Sequence, residues 1–209
     1  MAGSATAKER REERQQQIIR ATIRVLSREG ITEATTRNIT AEAGVNGATL
    51  HYYFGSKDEL FWAVLQELSL QGEKVIRDAV RTDQGLYTTI ESCIRAFWSE
   101  EESTPELQTM QYELTLYALR RPESAWLAKK QYEAYCEVLE TVYREASERS
   151  QEPSAVPFSD LARFSVSSTD GILLRFLVDH DATNARRDLD RIIAFAIAMA
   201  RDGQAISLA

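Results

Sequence analysis

Hydroxyl, phenol, imidazole, guanidinium and ammonium side chains are concentrated between Thr36 and Lys57. They are Thr36, Arg37, Asn46, Thr49, His51, Tyr52, Tyr53 and Lys57, with Gly47 and Ala48 in their midst. The sequence contains two histidines, His51 and His180, with no glycine-rich phosphate loop, nucleophile elbow or metal-spaced cluster, so an enzyme, a cofactor or a metal is not expected. The chemistry open to this set is binding. Thr49 and His51 can bond base edges in a major groove, Gly47 and Ala48 allow close approach, and Tyr52, Tyr53 and Lys57 can hold phosphates. Packing is the plainer role and is expected to dominate for Leu50, Phe54 and Tyr52; contact with a partner is expected for Thr49, His51, Tyr53 and Lys57, while Arg37 divides evenly.

Two short helices joined by a tight turn would hold these side chains. Thr35 and Thr36 offer hydroxyl caps to a helix ending at Ala43, with Ile39 and Ala43 one turn apart on a single face; Gly44 ends it and Val45 fills the turn. Asn46 caps the next helix, over 48–54, with Leu50 and Phe54 directed inward. Upstream, Ile18, Ile19, Thr22, Ile23, Val25 and Leu26 recur at helical spacing, and Gly30 is expected to stop that helix near Glu29. About eight small polar residues before it are expected to be disordered, and 9–17 is a mixed-charge lead-in. Ser56-Lys57-Asp58-Glu59 is a capping box that opens a long fourth helix, with Leu60, Phe61, Val64, Leu65 and Leu68 as its stripe and a break expected near Gly72. Further helices are expected over 84–101, 105–120, 123–150, 159–178 and 184–201, which makes an all-α chain of about nine helices.

The 209 residues carry a net charge of −7, which by itself disfavours a polyanionic partner. The charge is unevenly spread: residues 1–62 hold 9 Lys/Arg against 8 Asp/Glu, and 63–209 hold 16 against 24. That asymmetry permits a DNA-binding head on an acidic body. No apolar run approaches the roughly 20 residues that span a bilayer, and the N-terminus lacks the apolar core of a secretory signal, so a cytoplasmic protein is expected. Cys93 and Cys136, far apart in amphipathic segments, are expected to be buried, reduced thiols.

The stretch TTRNITAEAGVNGATLHYYFGSKDELF, residues 35–61, resembles the DNA-binding signature of the tetracycline-repressor (TetR) family, and QIIRATIRVLSREG, residues 17–30, resembles that family's first helix. The agreement rests on Thr35, Ile39, Ala43, Gly44, Val45, Leu50, Tyr52, Phe54, Lys57 and Leu60. It implies Thr36 and Tyr53 at phosphates, Arg37 near base or phosphate, Lys57 at the DNA backbone, and Thr49 and His51 in the groove. Asn46 replaces the commoner serine cap and His51 stands where a tyrosine is usual, so the family's base preference does not transfer. The expected domains are a helix-turn-helix DNA-binding domain over 1–55 and a helical effector-binding and dimerisation domain over 56–209.

Polar-tipped aromatics recur in the later helices: Trp98, Tyr112, Tyr117, Trp126, Tyr132 and Tyr135. With Ser165 and Ser168, from a polar run ending at Asp170, they are candidates to line a pocket for a small, largely apolar effector; ordinary core is the alternative for each. Residues 170–200 resemble the family's last two helices, which pair with their copies in a dimer. The implied contacts are Leu173, Leu177, Ile192, Phe195 and Met199, with an intramolecular core as the alternative. The expectation is thus a homodimeric DNA-binding transcription regulator, a repressor released from a palindromic operator by a small molecule. The alternative is a helical DNA-associated interaction or architectural protein without small-molecule regulation.

Overall fold

The structure, a computed structural model, describes residues 6–203. Among the described residues there are nine α-helices and one 3-10 turn: α1 Ala7–Glu33, α2 Thr36–Ala43, α3 Gly47–Phe54, α4 Lys57–Ala79, α5 Leu86–Ser103, α6 Pro105–Leu119, the turn Pro122–Ser124, α7 Ala125–Ser150, α8 Phe158–Asp179 and α9 Ala182–Asp202. Local capping explains several of the boundaries. The disorder expected for the first eight residues falls partly outside the described ones. From Thr6 onward the chain is ordered, because Thr6 and Glu9 form a capping box that starts α1 at Ala7. At Gly30 the backbone leaves the helical region (φ 78°, ψ 175°), near the expected stop. The Glu113 carboxylate accepts from Ile31 N at 2.8 Å and thereby satisfies a donor freed by that interruption.

Helix α4 runs through Gly72 without the expected break. A lone glycine costs a helix only about 1 kcal/mol relative to alanine, and the flanking Leu, Gln, Glu and Lys are good helix formers.

The chain divides into two compact units. The first comprises residues 1–68 and 106–131, the second 69–105 and 132–209. In the first, Ile18, Val25, Leu26, Ile39, Ala43, Leu50, Phe54, Leu60, Phe61 and Val64 form a continuous core with Met110, Leu114, Ala118 and Leu127 of α6 and α7. Burying a leucine- or isoleucine-sized side chain contributes about 1.5–3 kcal/mol, so α2 and α3, too short to be stable alone, are held by this packing.

The second unit is organised around α5, α8 and α9, with the later part of α7. Leu161, Ala162, Ser165, Val166, Thr169, Leu173 and Phe176 make the buried stripe of α8; Ala185, Leu189, Ile193, Ala196 and Ala200 make that of α9. Two members of the polar run are explained at once. Ser165 donates to Leu161 O at 2.9 Å and accepts from Tyr143 Oη at 3.2 Å, and Asp170 accepts from Tyr132 Oη at 3.0 Å. Cys93 is buried, and desolvation pushes its thiol up to about 12; Cys136 is half-buried rather than buried.

Candidate nucleic-acid interface

Helix α2 begins at a cap supplied by Thr35, whose Oγ1 accepts from Asn38 N at 3.2 Å, which leaves Thr36 and Arg37 exposed in its first turn. It ends at Gly44, held in the left-handed region (φ 63°, ψ 36°), and Val45 N then donates back to Thr40 O at 3.0 Å. The Gln17 amide donates to Ala43 O at 2.7 Å, so a side chain of α1 satisfies a carbonyl that the helix end leaves free. Arg24 pairs with Glu42 at 2.6 Å and Arg28 with Glu42 at 3.4 Å, which fastens α1 to α2; Arg24, then Arg28, holds the Glu42 carboxyl below its usual range.

The turn passes into α3 through Asn46, whose Oδ1 accepts from Thr49 N at 2.8 Å and from the Thr49 hydroxyl at 3.0 Å. This cap orients Thr49 as well as starting the helix. A Cβ on Gly47 would meet no other atom within 4 Å, and Ala48 is exposed, so the N-terminal end of α3 presents little bulk to an approaching molecule. His51 is exposed, with Nδ1 3.3 Å from the Gly55 carbonyl oxygen; with the proton on Nδ1, Nε2 is left as an acceptor.

Of the two tyrosines, Tyr52 departs from the packing role expected of it. Tyr52 is 69% exposed and does not pack the head, whereas Tyr53 is half-buried against the core, edge-on to Tyr52 at 5.2 Å. Consecutive helical positions lie about 100° apart, so with Leu50 and Phe54 directed inward, Tyr53 flanks the buried face and Tyr52 turns away from it. Arg11 of α1 lies over the exposed Tyr52 ring at 5.6 Å.

Lys57 opens α4, where Ser56 Oγ accepts from Glu59 N at 3.1 Å. Its ammonium lies over Phe61 at 5.1 Å and Tyr117 at 5.8 Å. Burial and the charge of Arg121 push the Lys57 ammonium below its usual value, with Asp58 opposing. Asp58 accepts from Tyr117 Oη at 2.9 Å and from Ser124 Oγ at 2.5 Å, which ties the start of α4 to α6 and to the following turn. Burial, then the bond to Asp58, push the Tyr117 phenol up. Sequence reasoning gave no site role to Asp58, Ser124 or Arg121, because the bonds from Tyr117 and Ser124 to Asp58 span about sixty residues and leave no local pattern.

The eight expected effector-pocket residues fall in both units. Tyr112, Tyr117 and Trp126 belong to the first; Trp98, Tyr132, Tyr135, Ser165 and Ser168 belong to the second. Trp98 is buried, edge-on to Phe176, and donates to Glu102 at 3.1 Å; Tyr132 and Tyr135 stack edge to face at 5.9 Å. Ser168 lines a cleft of about 460 Å³ between α8 and α9, together with Gly171, Arg175, Phe176, Asp179 and Asp188. Of the expected dimer contacts, Leu173 is 3% exposed and serves the buried stripe of α8; Leu177, Ile192 and Met199 are half-buried, and Phe195 is 50% exposed.

Two short helices in this turn geometry, the second capped and nearly bare at its N-terminal end, form a helix-turn-helix, the reading unit of a DNA-binding regulator. Two family profiles match the chain: bacterial regulatory proteins of the tetR family over residues 18–64, and the tetracyclin repressor-like C-terminal domain over residues 85–198. The nicotine-responsive HTH-type transcriptional repressor HdnoR of Paenarthrobacter nicotinovorans is 29% identical over 167 residues, 80% of this chain and 85% of that protein. The HTH-type transcriptional regulator BetI of Brucella suis biovar 1 is 27% identical over 195 residues, 93% of this chain and 91% of that one. A TetR transcription regulator from Haloarcula marismortui shares the fold, with a TM-score of 0.68 at 21% identity over 90% of this chain and 97% of that one. The chain belongs to the TetR family and is a helix-turn-helix, DNA-binding transcription regulator. Among the described residues no helix is long and apolar enough to cross a membrane.

Proposed function

We propose that this protein is a cytoplasmic, homodimeric repressor that holds a palindromic operator and is released from it by a small, largely apolar effector. The observation that carries the DNA step is the surface of α2 and α3: Thr36, Arg37, Asn46, Ala48, His51 and Tyr52 are exposed while Ile39, Ala43, Leu50 and Phe54 are buried beneath them. Thr49 and His51 meet base edges past Gly47 and Ala48. Thr36, Arg37, Tyr52, Tyr53 and Lys57 hold phosphates and fix the register. Residues 1–55 are the DNA-binding domain in this reading, and 56–209 bind effector and dimerise.

The dimer reading is supported by large apolar side chains left exposed on α8 and α9: Leu174, Val178 and Phe195, at 52%, 74% and 50%. Leu177, Ile192 and Met199 are half-buried and complete that face. Two heads on a two-fold axis would enter successive major grooves about 34 Å apart. The effector step is supported by the nicotine-responsive relative. Release requires the effector to bind the free dimer more tightly than the operator-bound one.

Selection of bound sequences from a random duplex pool tests the DNA step, with a Thr49→Ala, Tyr53→Ala, Lys57→Ala triple variant as control. A palindrome recovered by the parent and not by the variant supports the reading. Recovery of no preferred sequence by the parent refutes it in favour of an architectural protein.

A further inference from the structure

The C-terminal end of α6 places a second cation beside Lys57. Arg121 Cζ lies 4.1 Å from the centroid of the Tyr117 ring, and Lys57 Nζ lies 5.8 Å from the same centroid. The two positive groups are therefore within about 10 Å of one another. Neither is in an ion pair among the described residues. The nearby carboxylate of Asp58 is occupied by the Tyr117 and Ser124 hydroxyls. Arg121 is exposed, and all of these groups belong to the first compact unit.

Like charges held this close repel, and the structure keeps them together by fixing what lies between. Tyr117 is locked by its bond to Asp58 and by its edge-on contact with Phe61 at 5.4 Å. The guanidinium stacks on one ring that the ammonium shares, and Arg121 also donates to Tyr117 O at 3.4 Å. An anion arriving here relieves the repulsion at both cations. A guanidinium, with its planar fork of donors, suits a phosphate, and the DNA backbone presents one charge per about 3.4 Å of axis along each strand.

We propose that Arg121 is a DNA-backbone contact from outside the helix-turn-helix, which with Lys57 forms a two-cation clamp on neighbouring phosphates. This rests on the reading of Lys57 as a phosphate contact. Its consequence is that α6 takes part in DNA binding directly: any event that shifts the end of α6 relative to α4 moves one of the clamp's two charges.

The test uses the full-length protein and a duplex carrying the palindrome recovered by selection, with a scrambled duplex of the same length. Affinity is measured by fluorescence anisotropy between about 50 and 200 mM salt for the parent, Lys57→Gln, Arg121→Gln, Arg121→Lys, and Arg187→Gln as a control of equal charge change in the second unit. Each lost phosphate contact lowers the log–log salt slope by about 0.9, so a dimer loses about 1.8 and the ratio of parent to variant affinity shrinks roughly twelvefold across that range. Arg121→Gln should show this on both duplexes, since phosphates carry no sequence information. Arg121→Lys should keep the slope, and Arg187→Gln should leave it unchanged. A normal slope in Arg121→Gln beside a reduced one in Lys57→Gln overturns the role of Arg121 alone. Normal slopes in both overturn the reading of Lys57 and the clamp with it. Loss of affinity in Arg121→Gln without a change of slope identifies Arg121 as a prop for Tyr117 and also overturns the proposal.

Discussion

Replacing Asp58 with alanine removes the common acceptor of two hydroxyls, Tyr117 Oη at 2.9 Å and Ser124 Oγ at 2.5 Å. Ser124 is 1% exposed, so its hydroxyl loses a partner without gaining water. Tyr117 is half-buried and regains part of its solvation. Hydrogen bonds to a charged group contribute about 1.5–3 kcal/mol each, and an orphaned buried donor costs about 1–3 kcal/mol. With the Tyr117 share discounted for its exposure, Asp58→Ala should destabilise the protein by about 3 kcal/mol. Tyr117→Phe, which keeps the ring against Phe61 and beneath Arg121, should cost about 1 kcal/mol. Part of the loss on removing Asp58 is its interaction with the N-terminal dipole of α4, about 0.3–1 kcal/mol, and a double-mutant cycle with Tyr117→Phe cancels that part. The assay is urea unfolding followed by far-ultraviolet circular dichroism, at one protomer concentration because association contributes to apparent stability. A coupling energy near 1 kcal/mol is expected; additivity within about 0.3–0.5 kcal/mol would refute the tie between α4 and α6.

Two further outcomes follow from backbone geometry and from burial. Gly44 and Gly55 both have positive φ, 63° and 59°, but a Cβ on Gly44 meets nothing within 4 Å whereas one on Gly55 would stand 2.7 Å from Glu59 Oε2. Gly44→Ala should cost about 1–2 kcal/mol and Gly55→Ala measurably more, because ψ −59° at Gly55 lies outside the left-handed well that Gly44 occupies at ψ 36°, while the exposed Glu59 carboxylate can swing aside; equal costs for the two glycines in urea melts would contradict this. Cys93, with its thiol raised by burial to about 12, favours the protonated form in the folded state. Its contribution is therefore intact below the unfolded thiol value and declines as pH rises from there toward about 12. Between about pH 9 and pH 10 the parent should lose roughly 1 kcal/mol more stability than Cys93→Ala, and parallel pH profiles would be inconsistent with a buried neutral thiol.

The helix-turn-helix was legible because its instructions are local. Thr35 caps within three residues, Gly44 turns the chain where it stands, and Asn46 caps within three residues again. The errors arise where one local signal must be weighed against packing. Gly72 reads as a break, yet flanking helix formers outweigh one glycine with open space around it. Tyr52 and Tyr53 are adjacent aromatics, and with Leu50 and Phe54 inward the helical period itself places Tyr53 beside the buried face and Tyr52 away from it, so the expectation that Tyr52 packs gave its aromatic character too much weight. Leu173 reads equally well as an outward or an inward leucine, and its place three residues before Phe176 on the buried stripe assigns it to the core. The bond from Tyr117 to Asp58 crosses from α6 to α4, and no periodicity within either helix announces it, whereas Arg121 stacks on a ring only four residues before it.

Charge shows why a sum over sequence understates what the head can do. The first compact unit holds 13 Lys/Arg against 12 Asp/Glu, close to neutral, and the second holds 12 against 20. In the first unit, however, the charges are unevenly placed. Glu42 pairs with Arg24 and Arg28, the Glu113 carboxylate is held by the backbone N–H of Ile31, and Asp58 is held by two hydroxyls. Arg37, Lys57 and Arg121 remain without an ion-pair partner among the described residues, on or beside the helices that would meet DNA. A polyanion responds to the local potential, which falls off within a Debye length of about 8–10 Å, rather than to the net count. The −8 belongs to the second unit, so the acidity that argued against DNA binding in the composition is not that of the unit that carries Arg37, Lys57 and Arg121.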